Sequence, residues 1–88
     1  MVARTISEEY DALEGGFLER CLKVDLATAA DTVDLTDYIF GKSIADIQLF
    51  DIDAISPVTA SVNTSTDVVT IGANHTAGNA LAINIRLI

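Results

Sequence analysis

The chain has 88 residues, of which 50% are hydrophobic, and its 13 acidic and 5 basic residues give a net charge of −8. This length predicts one small domain, and the hydrophobic content excludes a chain that is disordered throughout. Because binding to a phosphate backbone depends on clustered positive charge, the acidic balance argues against a nucleic-acid partner.

The beginning of the chain is predicted to form a short helix over Thr5–Glu14. Ile6, Tyr10 and Leu13 fall at i, i+4 and i+7, which places them on one face of a helix. Gly15-Gly16 follows, and glycine commonly ends a helix because it readily adopts the left-handed conformation. A helix this short is marginal in water, so it needs a surface on which to dock.

The hydrophobic period changes to two from Leu18 onward, which is typical of half-buried strands. The alternating apolar positions are Leu22, Val24 and Leu26; Val33 and Leu35; Ala45, Ile47 and Leu49; Val58, Ala60 and Val62; Val69 and Ile71; and Leu81, Ile83, Ile85 and Leu87. The last set has the clearest alternation, and its apolar side chains are predicted to point into the core.

Two local features modify this pattern in the middle of the chain. Phe50 and Ile52 lie on the opposite parity from Leu49, which predicts a β-bulge or a strand covered on both faces. Residues 58–71 are predicted to form a hairpin around a polar turn, and residues 72–78 are predicted to form a loop.

These patterns predict an all-β fold. We expect a small antiparallel β-sandwich or barrel-like domain of about six short strands, with an N-terminal arm that contains the short helix. Residues 1–20 are assigned to the arm and residues 21–88 to the β domain. The strand topology stays open at this point.

The candidate catalytic and metal-binding residues have simpler structural interpretations. His75, the sole histidine, is predicted to lie on a surface loop. Asp51-Ile52-Asp53 has a spacing that can hold a divalent ion, and Asp31, Asp34 and Asp37 form a second acidic series. We interpret both as solvated acidic faces, with a structural calcium ion as the alternative. The sequence therefore predicts no catalytic residue, no metal site and no cofactor.

Three further residue types bear on the class of protein. Cys21 is the single cysteine, so it cannot form an internal disulfide, and its place in a strand pattern predicts a buried structural thiol. Asn63 and Asn74 match the N-glycosylation pattern but are interpreted as turn residues that bond to the backbone. No apolar run reaches the roughly 20 residues of a membrane span, and the charged beginning of the chain predicts no signal peptide.

Three stretches of the chain carry a resemblance to a known class of proteins. They are Ala29–Tyr38 (AADTVDLTDY), the hairpin from Ala60–Asn63 to Val68–Gly72, and the strand that follows Gly78-Asn79. From Ala27 to the last residue, about two-thirds of the chain, the organisation resembles small virion proteins of tailed bacteriophages. The resemblance is one of general build and identifies no site residues.

This resemblance implies a structural function. Proteins of this class are typically capsid cement or decoration proteins, often trimers, that bind across joints between major capsid protein subunits. Others are head–tail or tail accessory proteins. The expected partner is therefore the major capsid protein or another virion protein, the expected assembly is a homo-oligomer, with a trimer predicted, and the expected location is the virion, after synthesis in the host cytoplasm.

In such a protein the N-terminal arm is predicted to bind the partner and to fold on docking. Its apolar anchor residues would be Ile6, Tyr10, Leu13, Phe17 and Leu18. The alternative is that this segment packs on its own sheet.

Two other classes of function stay open. An acidic interaction module, such as an inhibitor or antitoxin that mimics DNA, needs carboxylates at a phosphate-like spacing, whereas the acidic residues here are spread over several segments. An enzyme needs an assembled set of reactive groups, and one histidine, one cysteine and scattered aspartates do not predict one. A structural virion protein is therefore the expected function.

Overall fold

A computed structural model describes the backbone of residues 2–14 and 17–88 and the side chains of residues 2–9 and 18–88. The strands within these ranges are β1 (Ala3–Arg4), β2 (Glu8–Glu14), β3 (Phe17–Ala27), β4 (Thr32–Asp34), β5 (Ile44–Asp51), β6 (Ser56–Val58), β7 (Ala60–Asn63), β8 (Val68–Ile71) and β9 (Asn79–Leu87). A short 3₁₀ helix, Thr36–Tyr38, lies between β4 and β5. The predicted all-β class is confirmed, but the strand pattern does not predict β1, β2 or β6.

The strands of the described ranges form a four-stranded sheet, in the order β1-β4-β8-β7, and a five-stranded sheet, in the order β2-β3-β9-β5-β6. Neighbouring strands are antiparallel, apart from the parallel pair of β1 and β4. Buried apolar side chains of both sheets form a shared hydrophobic core, so the sheets pack face to face in the manner of a β-sandwich.

The predicted N-terminal helix is wrong, because residues 8–14 form β2. This strand pairs with β3 in a continuous antiparallel register from Glu8 opposite Lys23 to Glu14 opposite Phe17. Gly15-Gly16, the predicted end of the helix, lie outside the described residues. The eleven-residue β3 has β9 on one side, and β2 supplies the backbone groups that its other side requires. Tertiary pairing therefore overrides the local helical spacing.

The core face of β9 is confirmed as the alternation predicts. Leu81, Ile83, Ile85 and Leu87 are at most 2% exposed, and β9 lies between β3 and β5 in the middle of its sheet. Strict alternation of apolar and polar residues indicates a strand that has one face on the core, and β9 is such a strand.

The alternation on β3 is correct only as far as Val24. The register with β9 shifts between Val24 and Ala27, and Ala27 is buried in place of the predicted Leu26. The shift leaves Leu26 52% exposed. An irregularity in the ladder thus reverses the face on which a regular strand would place Leu26.

The predicted bulge after Leu49 is also wrong. Leu49 and Asp51 both face the core and Phe50 faces the other side, so β5 alternates regularly from Ile47 to its last residue. The register shift of β5 lies between Ile44 and Asp46 instead. The apparent change of phase arises because the inward position after Leu49 holds an aspartate, which a search for apolar residues passes over.

The hairpin predicted over 58–71 is confirmed from Ala60 onward, where β7 pairs with β8 from Ala60 opposite Ile71 to Asn63 opposite Val68. Val58 belongs to β6 in the five-stranded sheet. The chain therefore changes sheets across Thr59.

Gly72 allows the close approach of backbones at this change of sheets. Its N–H donates a 2.8 Å hydrogen bond to the carbonyl oxygen of Thr59. A Cβ atom at position 72 would overlap with both the hydroxyl and the carbonyl oxygen of Thr59.

We predict that Gly72→Ala lowers the free energy of unfolding by about 1–3 kcal/mol, the usual cost of an overpacked site. Urea unfolding followed by circular dichroism measures the change. The double variant Gly72→Ala/Thr59→Ala is the control: it should not recover the loss, because the Thr59 carbonyl oxygen stays in place. An unchanged unfolding midpoint in Gly72→Ala would show that the backbones are further apart than described.

Candidate functional site

Asp51 is the polar centre around which the loops at one end of the five-stranded sheet are arranged. Its side chain lies at the end of β5, faces the core and is 0% exposed. Its carboxylate accepts hydrogen bonds from the backbone N–H of Ala54 at 3.0 Å and of Thr76 at 3.1 Å. The amide of Asn79 donates a further bond at 3.0 Å. One buried carboxylate therefore joins the β5–β6 loop to the β8–β9 loop and to the start of β9.

His75 is buried beside this carboxylate, so its predicted place on the surface is wrong. Its Nε2 lies 3.1 Å from the carbonyl oxygen of Asn79. Its Nδ1 lies 3.4 Å from Asp51 Oδ2, without the alignment of a hydrogen bond. The ring enters the interior because the β8–β9 loop folds over Asp51 and brings the N–H of Thr76 to the carboxylate. Both side chains are fully covered, so this pair cannot contact a substrate from solvent.

Asp31 is a second buried carboxylate, and its predicted place on a solvated face is also wrong. It is 2% exposed and accepts hydrogen bonds from the backbone N–H groups of Val2 and Thr28, each at 2.9 Å. The guanidinium of Arg4 donates a third bond at 2.7 Å. Asp31 thereby fastens the beginning of the chain to the turn before β4. The other two members of that acidic series, residues 34 and 37, are exposed.

The hydrogen bonds to the buried carboxylates keep them ionised. For Asp31, the bond from Arg4 is the main cause of a lowered pKa, and it outweighs the opposing effect of burial. Burial alone would raise the pKa of Asp51, but the donors on Ala54, Thr76 and Asn79, with His75 nearby, together lower it.

A lowered pKa makes stability depend on pH in the acid range. Below the ordinary carboxyl value of 3.8, the unfolded chain binds protons that the folded protein does not. The stabilisation by Asp51 is therefore complete above that pH and is lost as the pH falls through the folded-state pKa. Asp31 acts in the same direction.

We predict that Asp51→Asn lowers the thermal midpoint at pH 7, because an amide presents N–H groups to donors that need an acceptor. The same variant should lose less stability than the unmodified protein as the pH falls from 5 to 2. The reason is that the variant lacks the carboxylate whose protonation makes the stability of the unmodified protein depend on pH. Thermal unfolding at a series of pH values measures both effects. The control is Asp37→Asn, an exposed carboxylate, which should leave the curve unchanged. Parallel acid curves for Asp51→Asn and the unmodified protein would contradict the assignment.

The β5–β6 loop that Asp51 holds carries exposed apolar side chains. Ile52 is 37% exposed and Ile55 is 79% exposed. Ile55 also has a φ of +52°, which is rare for a β-branched residue and costs conformational energy. Asp53 accepts a 2.9 Å hydrogen bond from the backbone N–H of Ala80, and Ile52 donates one to the Ala80 carbonyl oxygen. The loop is therefore fixed in a shape that presents Ile55 to solvent.

Phe40 has a similar exposure and a φ of +54°, but its position has an explanation within the chain. The guanidinium of Arg20 lies 4.5 Å from the centre of the Phe40 ring. Arg20 is itself 3% exposed, donates a 2.6 Å hydrogen bond to the carbonyl oxygen of Tyr38 and forms an ion pair with Glu9. The contact with Arg20 holds Phe40 in place, and no such contact accounts for Ile55 among the described residues.

Arg20 is absent from the predicted core positions, although its place in the alternation of β3 indicates burial. Arg20 lies two residues before Leu22 and so shares its core-facing side. By the same parity Cys21 faces outward, and it is half-buried rather than part of the core.

An open strand edge lies at the start of β5, at the end of the strand away from the β5–β6 loop. The pairing of β6 with β5 covers only Leu49–Asp51, although β5 begins at Ile44. Within the described residues, no strand pairs with this side of β5 over residues 44–48. A groove of 520 Å³ lies where β6 ends, lined by residues 47–50 and 57–60 and by Asn84. This volume is within the range of about 300–1,000 Å³ that is usual for ligand-binding clefts.

The predicted partner-binding residues of the arm lie in different surroundings. Ile6 and Leu18 are partly buried and pack against the protein's own core. The side chains of Tyr10, Leu13 and Phe17 lie outside those that the structure describes. Binding of a partner by these residues stays a prediction.

The asparagines of the glycosylation-like patterns bond to backbone, as predicted. Asn63 accepts a 3.0 Å hydrogen bond from the N–H of Ser65 within its turn. Asn74 accepts one from the N–H of Thr59 and donates one to the carbonyl oxygen of Pro57. Asn74 therefore connects the β8–β9 loop to the segment between β6 and β7.

Comparisons of the chain with protein-family models, curated proteins and solved structures give no significant match. Across residues 2–14 and 17–88, none of the helical segments has the length and apolar character of a membrane span. The described part of the chain also contains no group of three or more His, Cys, Asp or Glu residues placed to bind a metal ion. The candidate sites within the described residues are the β5–β6 loop with its exposed Ile55 and the unpaired edge at the start of β5.

Proposed function

We propose that the protein is a structural virion protein that works by binding other proteins, and specifically a capsid cement or decoration subunit. In this function it binds across joints between major capsid protein subunits on a phage head. The resemblance of the segment from Ala27 onward to small virion proteins supports this class. The β-sandwich with a fixed, exposed apolar loop supports binding through contact area.

The observation that carries the proposal is the conformation of Ile55. A left-handed backbone costs a non-glycine residue about 1–2 kcal/mol. In the isolated protein, a side chain that is 79% exposed recovers little of that energy by burial. Complete burial of an isoleucine against a partner would contribute about 1.5–3 kcal/mol. The backbone energy cost at Ile55 is therefore uncompensated in the free protein and is compensated when a partner buries the side chain. This is the pattern expected of a binding residue.

We predict that Ile55→Asn has opposite effects on stability and on binding. Asparagine tolerates a positive φ, so the free energy of unfolding should rise by about 1 kcal/mol, whereas attachment to the partner should weaken because the apolar side chain is gone. Urea unfolding measures the first effect. Cosedimentation with assembled capsids of the phage whose genome carries the gene measures the second.

The matched control is Ala30→Asn. Ala30 is exposed, has a φ of +69° and lies in the turn before β4, outside the β5–β6 loop. This variant should become more stable and bind capsids normally. The proposal is rejected if the unmodified protein does not cosediment with capsids, or if Ile55→Asn binds them as well as the Ala30→Asn control does.

A further inference from the structure

His75 places a polar atom in the protein interior without a hydrogen-bond partner. Its side chain is 0% exposed, and its Nδ1 is the atom concerned. Nδ1 lies 3.4 Å from Oδ2 of Asp51, a carboxylate that is itself fully buried. Buried polar atoms are nearly always bonded, because an unmet donor or acceptor in the interior is unfavourable. The contact between His75 and Asp51 therefore needs a physical explanation.

The other ring nitrogen determines where the proton of a neutral ring lies. Nε2 of His75 lies 3.1 Å from the carbonyl oxygen of Asn79. A carbonyl oxygen only accepts hydrogen bonds, so Nε2 carries the proton and donates it. Nδ1 of the neutral ring is then left with a lone pair, which lies beside the negatively charged oxygen of Asp51. Neutral His75 cannot bond to Asp51, and the two atoms repel each other.

Addition of a proton to Nδ1 turns this repulsion into attraction. The ring then has an N–H on each nitrogen, so one can donate to Asn79 and the other to Asp51. Although burial raises the pKa of the Asp51 carboxyl, its hydrogen bonds hold that pKa below 3.8, so the carboxylate is ionised. A hydrogen bond between such charged groups has a length of about 2.7–2.9 Å, which a small movement of the ring provides.

Asp51 is the charged group that faces the ring from the segments packed around it. The β8–β9 loop, residues 72–78, contains no ionisable side chain besides His75. The carboxylates on the adjoining segments are each bonded or paired elsewhere: Asp53 accepts a backbone N–H, Asp31 bonds to Arg4, and Asp25 lies 3.8 Å from Lys23. The electrostatic effect on a proton at Nδ1 therefore comes mainly from Asp51.

A bond from His75 would act on loops that Asp51 already connects. Asp51 accepts the backbone N–H of Ala54 from the β5–β6 loop and that of Thr76 from the β8–β9 loop. A protonated His75 adds a second donor from the β8–β9 loop to the same carboxylate. The β5–β6 loop that is held in this way carries the exposed side chain of Ile55.

We propose that His75 is a pH-sensitive switch for the β5–β6 loop. Uptake of a proton on Nδ1 bonds the ring to Asp51 and holds Ile55 more firmly in the position in which it binds a partner. The proton comes from solvent during local opening of the loop, in which both neighbours of His75 are exposed. The proposal rests on the proposed function for the part that Ile55 has in binding, and it names the regulation of that site.

The direction of the pH dependence follows from the two environments of the proton. In the folded protein the proton joins groups of opposite charge, whereas in the unfolded chain it binds an imidazole in water. Stability should therefore rise as the pH falls from 8 to 5.5. The gain is complete below the ordinary histidine pKa of about 6.5 and is lost as the pH rises above it. His75 is the sole histidine, and this range lies above the acid range in which Asp51 and Asp31 are protonated.

The test compares the full chain at pH 8 and at pH 5.5. Urea unfolding measures stability, and the ¹⁵N signals of the His75 ring show directly which nitrogen carries a proton. We expect the folding equilibrium constant to rise about three- to tenfold at pH 5.5, the lower part of the range for a hydrogen bond between charged groups. Nδ1 should gain a proton in the folded protein. The amide protection factors of Ala54 and Thr76, corrected for the intrinsic effect of pH on exchange, should rise with it.

Variants test the assignment to the pair of His75 and Asp51. His75→Gln and Asp51→Asn should each remove the gain in stability at pH 5.5. The matched control is Asp53→Asn, which makes the same change as Asp51→Asn at an exposed carboxylate of the same loop and should keep the gain. Circular dichroism establishes that each variant is folded. The ring signals of the unmodified protein give an answer even if one variant does not fold.

The switch is wrong if stability does not rise at pH 5.5, if Nδ1 of the folded protein has no proton at that pH, or if Asp51→Asn keeps the gain. Cosedimentation with capsids at both pH values distinguishes this inference from the proposed function. We expect tighter binding at pH 5.5, and no difference for His75→Gln. Equal capsid binding at both pH values would reject the switch and retain the capsid function. Protonation of Nδ1 with increased protection of Ala54, but without capsid binding, would retain the switch within the fold and reject the capsid function.

Discussion

A carboxylate inside a small hydrophobic core is unfavourable unless donors replace the water that it loses. Asp51 meets this condition with backbone N–H groups from the β5–β6 loop and the β8–β9 loop and with the Asn79 amide. Because the donors come from separate segments, those segments can satisfy the carboxylate only in one mutual arrangement. The exposed position of Ile55 follows from that arrangement, since its loop is held at Asp51 and again at Asp53. The candidate binding surface thus depends on an ionised group that it does not expose.

Asp31 has the same function at the beginning of the chain. A domain of this size buries only about 60% of the surface of its unfolded chain, so apolar contacts alone order its loops weakly. Buried carboxylates with several backbone donors order loops without additional apolar residues. They also account for part of the acidic composition: Asp31 and Asp51 stabilise the interior, while exposed residues such as Asp46 give the surface its charge.

The sequence predicts the parts of the fold in which side-chain alternation and burial agree. The inward face of β9 is one example, and the hairpin of β7 and β8 is another, because each has a regular apolar pattern next to clear turn residues. Prediction fails where a polar residue occupies a core position or where pairing decides the structure. Asp51 and Arg20 lie on core-facing positions that a search for apolar residues does not count. The residues of β2 have helical spacing, but they form a strand because the backbone of β3 needs hydrogen-bond partners on the side away from β9. The open edge of β5 cannot be foreseen, since it depends on where β6 leaves its sheet.

The change of sheets at Thr59 has a mechanical consequence. A single residue separates the end of β6 from the start of β7, so the two layers are covalently connected with almost no slack. The hydrogen bond from Gly72 to the Thr59 carbonyl oxygen secures the same point from β8. Tension applied to one layer near β6 is therefore transmitted directly to the other layer.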